Sequence, residues 1–359
     1  MDILTDIRNH IAFITLNRPA ALNALSYDMI VALNKTLQEY ARDANVHAIL
    51  IKGAGEKAFC AGGDIRALHE SAVTGSTFHE QFFLAEYQLD HYLHRYPKPY
   101  VALIDGIDMG GGMGISEGSK LRVATDRTRI AMPEVGIGLF PDVGGSYFLS
   151  RLPGMLGLYL ALTGNQIRAA DALYAQLADV YLPRTAVEQL DTVLGELRWS
   201  NDHSADINRT MRGLATQDYP EAPLAALRPA IDLHFAHASV PAIMQSLRGE
   251  QRSEYTEWAQ QTVKIMEGRS PTMMMVALRQ LQLGKSMTLA DCFRMELGMT
   301  KQCFKHGDII EGVRALIIDK DNQPQWKPSR LEDVTPASVE AFFQSPWTAK
   351  SHPLAELQD

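Results

Sequence analysis

Residues 109–145 read MGGGMGISEGSKLRVATDRTRIAMPEVGIGLFPDVGG and carry the clearest alternation of strand and helix signals in the chain. It opens with four glycines in five positions, Gly110, Gly111, Gly112 and Gly114. The glycines follow a strand-like run, YVALI at 100–104, and a turn at Asp105-Gly106. Two short apolar runs come next, Leu121 to Ala124 and Arg129 to Ala131, each strand-like. The stretch ends with two acids, Glu134 and Asp142, in apolar surroundings. A strand leading into a glycine-opened helix, followed by more strands, is an alternating βα pattern.

Working outward, the same alternation fills the first half of the chain. Ile11 to Leu16 reads as a strand closed by Asn17-Arg18-Pro19, and Met29, Ile30, Leu33, Leu37 and Tyr40 share one helical face. HAILIK (47–52) is a second buried strand, followed by KAFCAGGDI (57–65) with its own glycine pair, Gly62-Gly63. The fold class is therefore α/β. Beyond about Leu182 the signals become helical, so the expected division is an α/β core over 1–200 and a mainly helical region over 201–359. The final residues, Ser351 to Asp359, are expected to fray.

Composition sets bounds on function. The chain has 359 residues, 46% hydrophobic and 21% charged, with net charge −8. That balance disfavours nucleic acid as a partner. Three cysteines form no disulfide framework, the start shows no basic, apolar leader, and no run of about 18 apolar residues appears. The expectation is a cytoplasmic protein without membrane association, and a homo-oligomer is compatible with it.

Chemistry concentrates in the two glycine loops and the two acids. Each glycine loop follows a strand, and bare backbone N–H groups there suit an oxyanion, which needs donors from different segments. A carboxyl in apolar surroundings has its pKa raised and works as a base or acid near neutrality. The plainer alternatives are a turn with Asp64 as N-cap, a buried salt bridge for Glu134 and a turn or cap for Asp142. GISEG (114–118) matches a nucleophile-elbow pattern, but Ser116 falls inside the expected helix rather than on a turn directly after a strand. His69, His79, His91 and His94 lack ligand spacing and are expected on the surface, so no metal is implied.

Together these segments, with LNRPAALNAL (16–25), resemble the crotonase (enoyl-CoA hydratase/isomerase) superfamily. The resemblance implies a spiral of ββα turns that binds an acyl-CoA substrate. It implies an oxyanion hole from the N–H groups matching Gly63 and Gly111, and an acid at Glu134. The second hydratase glutamate would fall at Gly114, so simple hydration loses half of its acid/base pair. MPEVGIGLFPDVGGSYFLSRLPG (132–154) and EGVRALIIDKDNQPQWKP (311–328) are similar to the branch that hydrolyses 3-hydroxyisobutyryl-CoA in valine breakdown. There, acids matching Glu134 and Asp142 serve the reaction and one matching Glu86 contacts substrate. The expected activity is thioester hydrolysis with no metal or redox cofactor, since a nucleophile, a proton acceptor and an oxyanion hole suffice. The alternatives are a hydratase or isomerase with Glu134 as its single base, and a non-catalytic binding protein on the same fold.

Overall fold

A computed structural model describes all residues, 1–359. The chain folds into two compact units, each assembled from three stretches. The first unit comprises Met1–Gly63, Gln88–Ala131 and Gln166–Ala225, and the second Asp64–Tyr87, Met132–Asn165 and Ala226–Asp359. Three-dimensional grouping thus does not follow a single cut at residue 200.

The first unit holds every strand: β1 (Ile3–Arg8), β2 (Ile11–Leu16), β3 (Ala48–Gly53), β4 (Ala58–Cys60), β5 (Tyr100–Ile104), β6 (Ile107–Met109), β7 (Leu121–Thr125), β8 (Arg129–Ala131), β9 (Ile167–Arg168) and β10 (Val180–Leu182). A six-stranded sheet has the order β1-β2-β3-β5-β7-β10, and a four-stranded sheet the order β4-β6-β8-β9. Apart from the antiparallel pairs β1–β2 and β8–β9, neighbours are parallel. Three successive pairs, β3–β4, β5–β6 and β7–β8, each place one strand in the first sheet and the next in the second. That repeat winds the chain into a spiral of ββ turns.

The sequence explains the strands and their corners. Tyr100–Ile104 is buried throughout, as an uninterrupted apolar run in a parallel sheet should be. At the β7–β8 corner Thr128 Oγ1 accepts from Thr125 N at 2.7 Å and donates to Ile104 O at 2.5 Å. One face of the large sheet, with Leu50, Val101 and Val123, packs on Leu190, Leu194 and Met211 from the helices Arg184–Gly195 and His203–Leu214. Burial of such side chains contributes about 1.5–3 kcal/mol each.

The second unit is helical. Its most buried helices are Pro271–Gly284 and Leu289–His306, both opened by hydroxyl caps, Ser270 and Thr288. A helix also runs Pro223–His234, with Pro229 inside it. The C-terminus is not frayed. Arg294 Nε donates to Leu354 O at 3.1 Å, Ala290 N to Asp359 Oδ1 at 2.9 Å, and Leu354 is buried. No helix is long and apolar enough to cross a membrane.

Candidate active site

In the second unit, the segment 132–145 is pinned from several sides. Glu134–Gly136 forms a single 3-10 turn after Pro133. Ser270 N donates to Val135 O at 3.0 Å, and Gln280 Nε2 to Pro141 O at 2.6 Å. Gly138 has φ +77, and a Cβ there would lie 2.2 Å from the Asp308 carbonyl, so only glycine lets this loop approach Asp308 so closely. The Glu296 carboxylate accepts from Gly144 N at 2.8 Å and Ser146 N at 2.9 Å, capping the short helix Gly145–Phe148.

The three candidate acids are all buried in this unit: Glu86 at 2% exposure, Glu134 at 4% and Asp142 at 4%. None has an Arg, Lys or His partner. Glu86 Oε1 and Glu134 Oε2 have no hydrogen-bond partner at all. Tyr87 Oη donates to Asp142 Oδ2 at 2.8 Å. Burial, and then the neighbouring Asp142 charge, push Glu86 and Glu134 well above the ordinary carboxylate range. Burial likewise lifts Asp142 to about 7, against the Tyr87 hydrogen bond that lowers it.

These facts remove the plainer alternatives. Glu134 is in no salt bridge. Asp142 closes a turn through its carbonyl, which accepts from Gly145 N at 2.7 Å, but its side chain serves Tyr87 and not a cap. Glu86 lies in the helix Phe78–His94, beside a face where Phe83, Tyr87 and His91 are buried, and is itself withdrawn from solvent. An unpaired buried acid is costly and marks a functional site more often than a structural one.

The glycine loops lie in the first unit. Gly62 has φ +102, and a Cβ there would be 3.2 Å from Met109 O and 3.7 Å from Gly111 N, so the two loops are adjacent. Gly110, at φ 50, leads into the helix Gly111–Glu117. No backbone carbonyl accepts from the N–H of Gly63 or Gly111. Asp64 caps the helix Ile65–Val73 as well, through Ala67 N. Ser116 lies within its helix, buried, and donates to Asp108 Oδ2 at 2.7 Å, which leaves it no part in a nucleophilic triad. Glu117 is held by Arg122 at 2.8 Å.

Gly114 carries the most telling contact of this unit. A Cβ at position 114 would lie 2.6 Å from Asp90 Oδ2 and 2.9 Å from Asp90 Oδ1. The space a side chain would need there is filled by the carboxyl of Asp90, itself fully buried. The sequence carries no local signal for the roles of Asp90, Tyr87, Gln280 and Glu296. All four sit in ordinary helical patterns, where nothing distinguishes a core polar group from a solvated one.

The four histidines correct the expectation of a surface location. His91 is buried, and the others are partly buried. His79 stacks on Phe304 with ring centroids 4.1 Å apart, and burial lowers His94 to about 4.

Residues 11–343 match the enoyl-CoA hydratase/isomerase family. The chain belongs to this family. It is 42% identical over 336 residues to the mitochondrial 3-hydroxyisobutyryl-CoA hydrolase of Danio rerio, covering 92% of this chain and 86% of the relative. The corresponding protein of Homo sapiens is 38% identical over 346 residues, covering 96% and 89%. Among family members of known structure, a carnitinyl-CoA dehydratase from Mycobacterium thermoresistibile superposes with TM-score 0.89 at 35% identity, covering 99% of both chains. An enoyl-CoA hydratase from Rhodobacter sphaeroides superposes with TM-score 0.85 at 33% identity, covering 96% and 98%. The spiral of ββ turns is therefore the crotonase fold. The cytoplasmic expectation does not stand: the hydrolases that this family member resembles are mitochondrial.

Proposed function

We propose that this chain hydrolyses 3-hydroxyisobutyryl-CoA to 3-hydroxyisobutyrate and CoA, a step of valine degradation. The observation that carries the reading is Glu134, a buried carboxyl without a cation, next to two further acids, in a family whose substrates are CoA thioesters. The relatives named as this hydrolase support it.

The chemistry proceeds in two stages. The N–H groups of Gly63 and Gly111 hold the thioester oxygen and stabilise the negative charge that develops on it. Deprotonated Glu134 either attacks the carbonyl carbon, expelling the CoA thiolate and leaving an acyl anhydride that water opens, or takes a proton from the attacking water. In both cases water supplies the oxygen, and the C–S bond is the bond broken. Asp142 positions water or substrate, and Glu86 and Asp142 hydrogen-bond the 3-hydroxyl. These groups need no metal or redox cofactor for hydrolysis.

The test is thiol release from 3-hydroxyisobutyryl-CoA by Glu134→Gln, which keeps shape and removes charge. Loss of a nucleophile or base costs about 10²-fold or more. Near-parental release by the variant would sink the assignment. The second reading, hydration or isomerisation of an enoyl-CoA, is favoured by the names of the two solved relatives. Against it stands Gly114, where the second carboxylate has no room. Faster turnover of crotonyl-CoA than of 3-hydroxyisobutyryl-CoA would reverse the order of the two readings.

A further inference from the structure

Arg269 lies in the second unit, between the helix Ser253–Glu267 and the Ser270 cap of the helix Pro271–Gly284. Its Nε donates to Thr163 O at 2.8 Å, which fixes the plane of the guanidinium. Its terminal nitrogens donate to no protein group, and no carboxylate pairs with it. Partial burial depresses its pKa from the ordinary arginine value.

This arginine lines a cavity of about 400 Å³. Two other arginines in the wall are already matched: Arg248 with Glu267 at 2.9 Å and Arg330 with Glu332 at 3.3 Å. The wall therefore carries one uncompensated positive charge, at Arg269. Much of the remaining lining is apolar and soft, with Met244, Met266, Met274 and Leu331. The volume falls within the roughly 300–1,000 Å³ of small-molecule sites.

We propose that this cavity binds a short-chain aliphatic carboxylate, with Arg269 as its anion anchor. A guanidinium with its terminal N–H groups open takes a carboxylate bidentately. Methionine side chains adapt to an irregular or branched aliphatic tail. Head and tail together define the ligand class, and neither a bare phosphate nor a long acyl chain matches both.

The cavity is also wired to Glu134. Arg269 Nη1 lies 2.9 Å from where a Cβ on Gly136 would stand, so the guanidinium rests on the Glu134–Gly136 turn. The next residue, Ser270, holds Val135 O through its N–H at 3.0 Å. An occupant that engages Arg269 acts on this strut and shifts the kcat of hydrolysis without competing for substrate.

The experiment is calorimetric titration of the full-length protein with isovalerate, acetate and inorganic phosphate. Isovalerate binds about tenfold or more tighter than either other anion, and Arg269→Gln weakens it about tenfold or more. Leu331→Trp, which fills the cavity from a partly exposed position and leaves Arg269 in place, abolishes binding even if Arg269→Gln fails to fold. Isovalerate affinity unchanged in a folded Arg269→Gln, or unchanged in Leu331→Trp, overturns the site. Equal binding of phosphate or acetate overturns the ligand class, and displacement of isovalerate by CoA places it elsewhere. These binding arms do not depend on the hydrolase reading. The coupling arm rests on that reading: saturating isovalerate changes kcat at constant KM in the parent and not in Leu331→Trp, and an unchanged kcat removes the coupling.

Discussion

Replacing Asp142 with Asn should make the protein more stable at high pH. Burial lifts Asp142 from 3.8 to about 7. A carboxyl whose folded pKa is raised binds more protons folded than unfolded between those two values. Its contribution is fully present below about pH 4 and is lost as pH rises toward 7, then stays flat. Between pH 5.5 and 7 the loss spans about 1.5 pK units, or ~2 kcal/mol at about 1.4 kcal/mol per unit. Glu86, Glu134 and Glu296 are all raised as well, so the parent as a whole should weaken between pH 5.5 and 8.5. The amide in Asp142→Asn still accepts from Tyr87 Oη, and its N–H groups face a cluster in which Glu86 Oε1 and Glu134 Oε2 lack partners. Urea unfolding of parent and variant at pH 5.5 and 8.5 measures the effect, and release of Glu86 and Glu134 from the Asp142 charge acts in the same direction. The variant should lose ~2 kcal/mol less than the parent over that range. Equal losses, or a variant less stable than the parent at pH 8.5, would refute the picture of a strained acid cluster.

Three further outcomes follow from the same geometry. The rate of thiol release should rise with pH as Glu134 deprotonates, and in Asp142→Asn this limb should move to lower pH, because the charge that raises Glu134 is gone; a limb in the same place in pH–rate profiles would detach Asp142 from Glu134. The parent should prefer 3-hydroxyisobutyryl-CoA strongly over isobutyryl-CoA in kcat/KM, and Glu86→Gln should shrink that preference, since a site built for a hydroxyl rejects its analogue through unpaired groups; equal kcat/KM for both in the parent returns Glu86 to a structural role. Gly114→Glu should destabilise the protein by about 3 kcal/mol or more without conferring hydration of crotonyl-CoA, since the new side chain runs into Asp90; denaturation curves and loss of the enoyl ultraviolet absorbance measure both.

How much of this was legible depends on the reach of the interactions. The strands at 100–104, 121–125 and 129–131 are visible in sequence because uninterrupted apolar runs between turn residues are a local signal. The helix carrying Ser116 is legible because the glycine run that opens it follows a strand and a turn, which is also a local signal. The grouping of the chain is not. Asp64–Tyr87 and Met132–Asn165 fold with the C-terminal helices, through contacts such as Ser270 to Val135 that span more than a hundred residues. No window of sequence holds such pairs.

The acids divide in the same way. Glu134 and Asp142 stand out because proline, glycine and apolar neighbours leave them no solvated helical face. Glu86, Asp90 and Glu296 sit in helices with ordinary charge spacing, and only packing tells a buried acid from an exposed one. Asp90 is the instructive case. The sequence records a glycine at 114 and reads it as a missing carboxylate. The structure adds that Asp90, from another helix, fills the volume that any side chain at 114 would take. A side chain at 114 therefore needs Asp90 to move as well, and a substitution at 114 alone does not provide the room. A carboxyl delivered by Asp90 also leaves from a different backbone, so it does not restore the glutamate pair that hydration requires. The same reasoning separates the two chemistries: Glu134 is buried without a cation in a unit that also buries Asp142 and Glu86, whereas position 114, in the other unit, holds a glycine whose side-chain space Asp90 occupies.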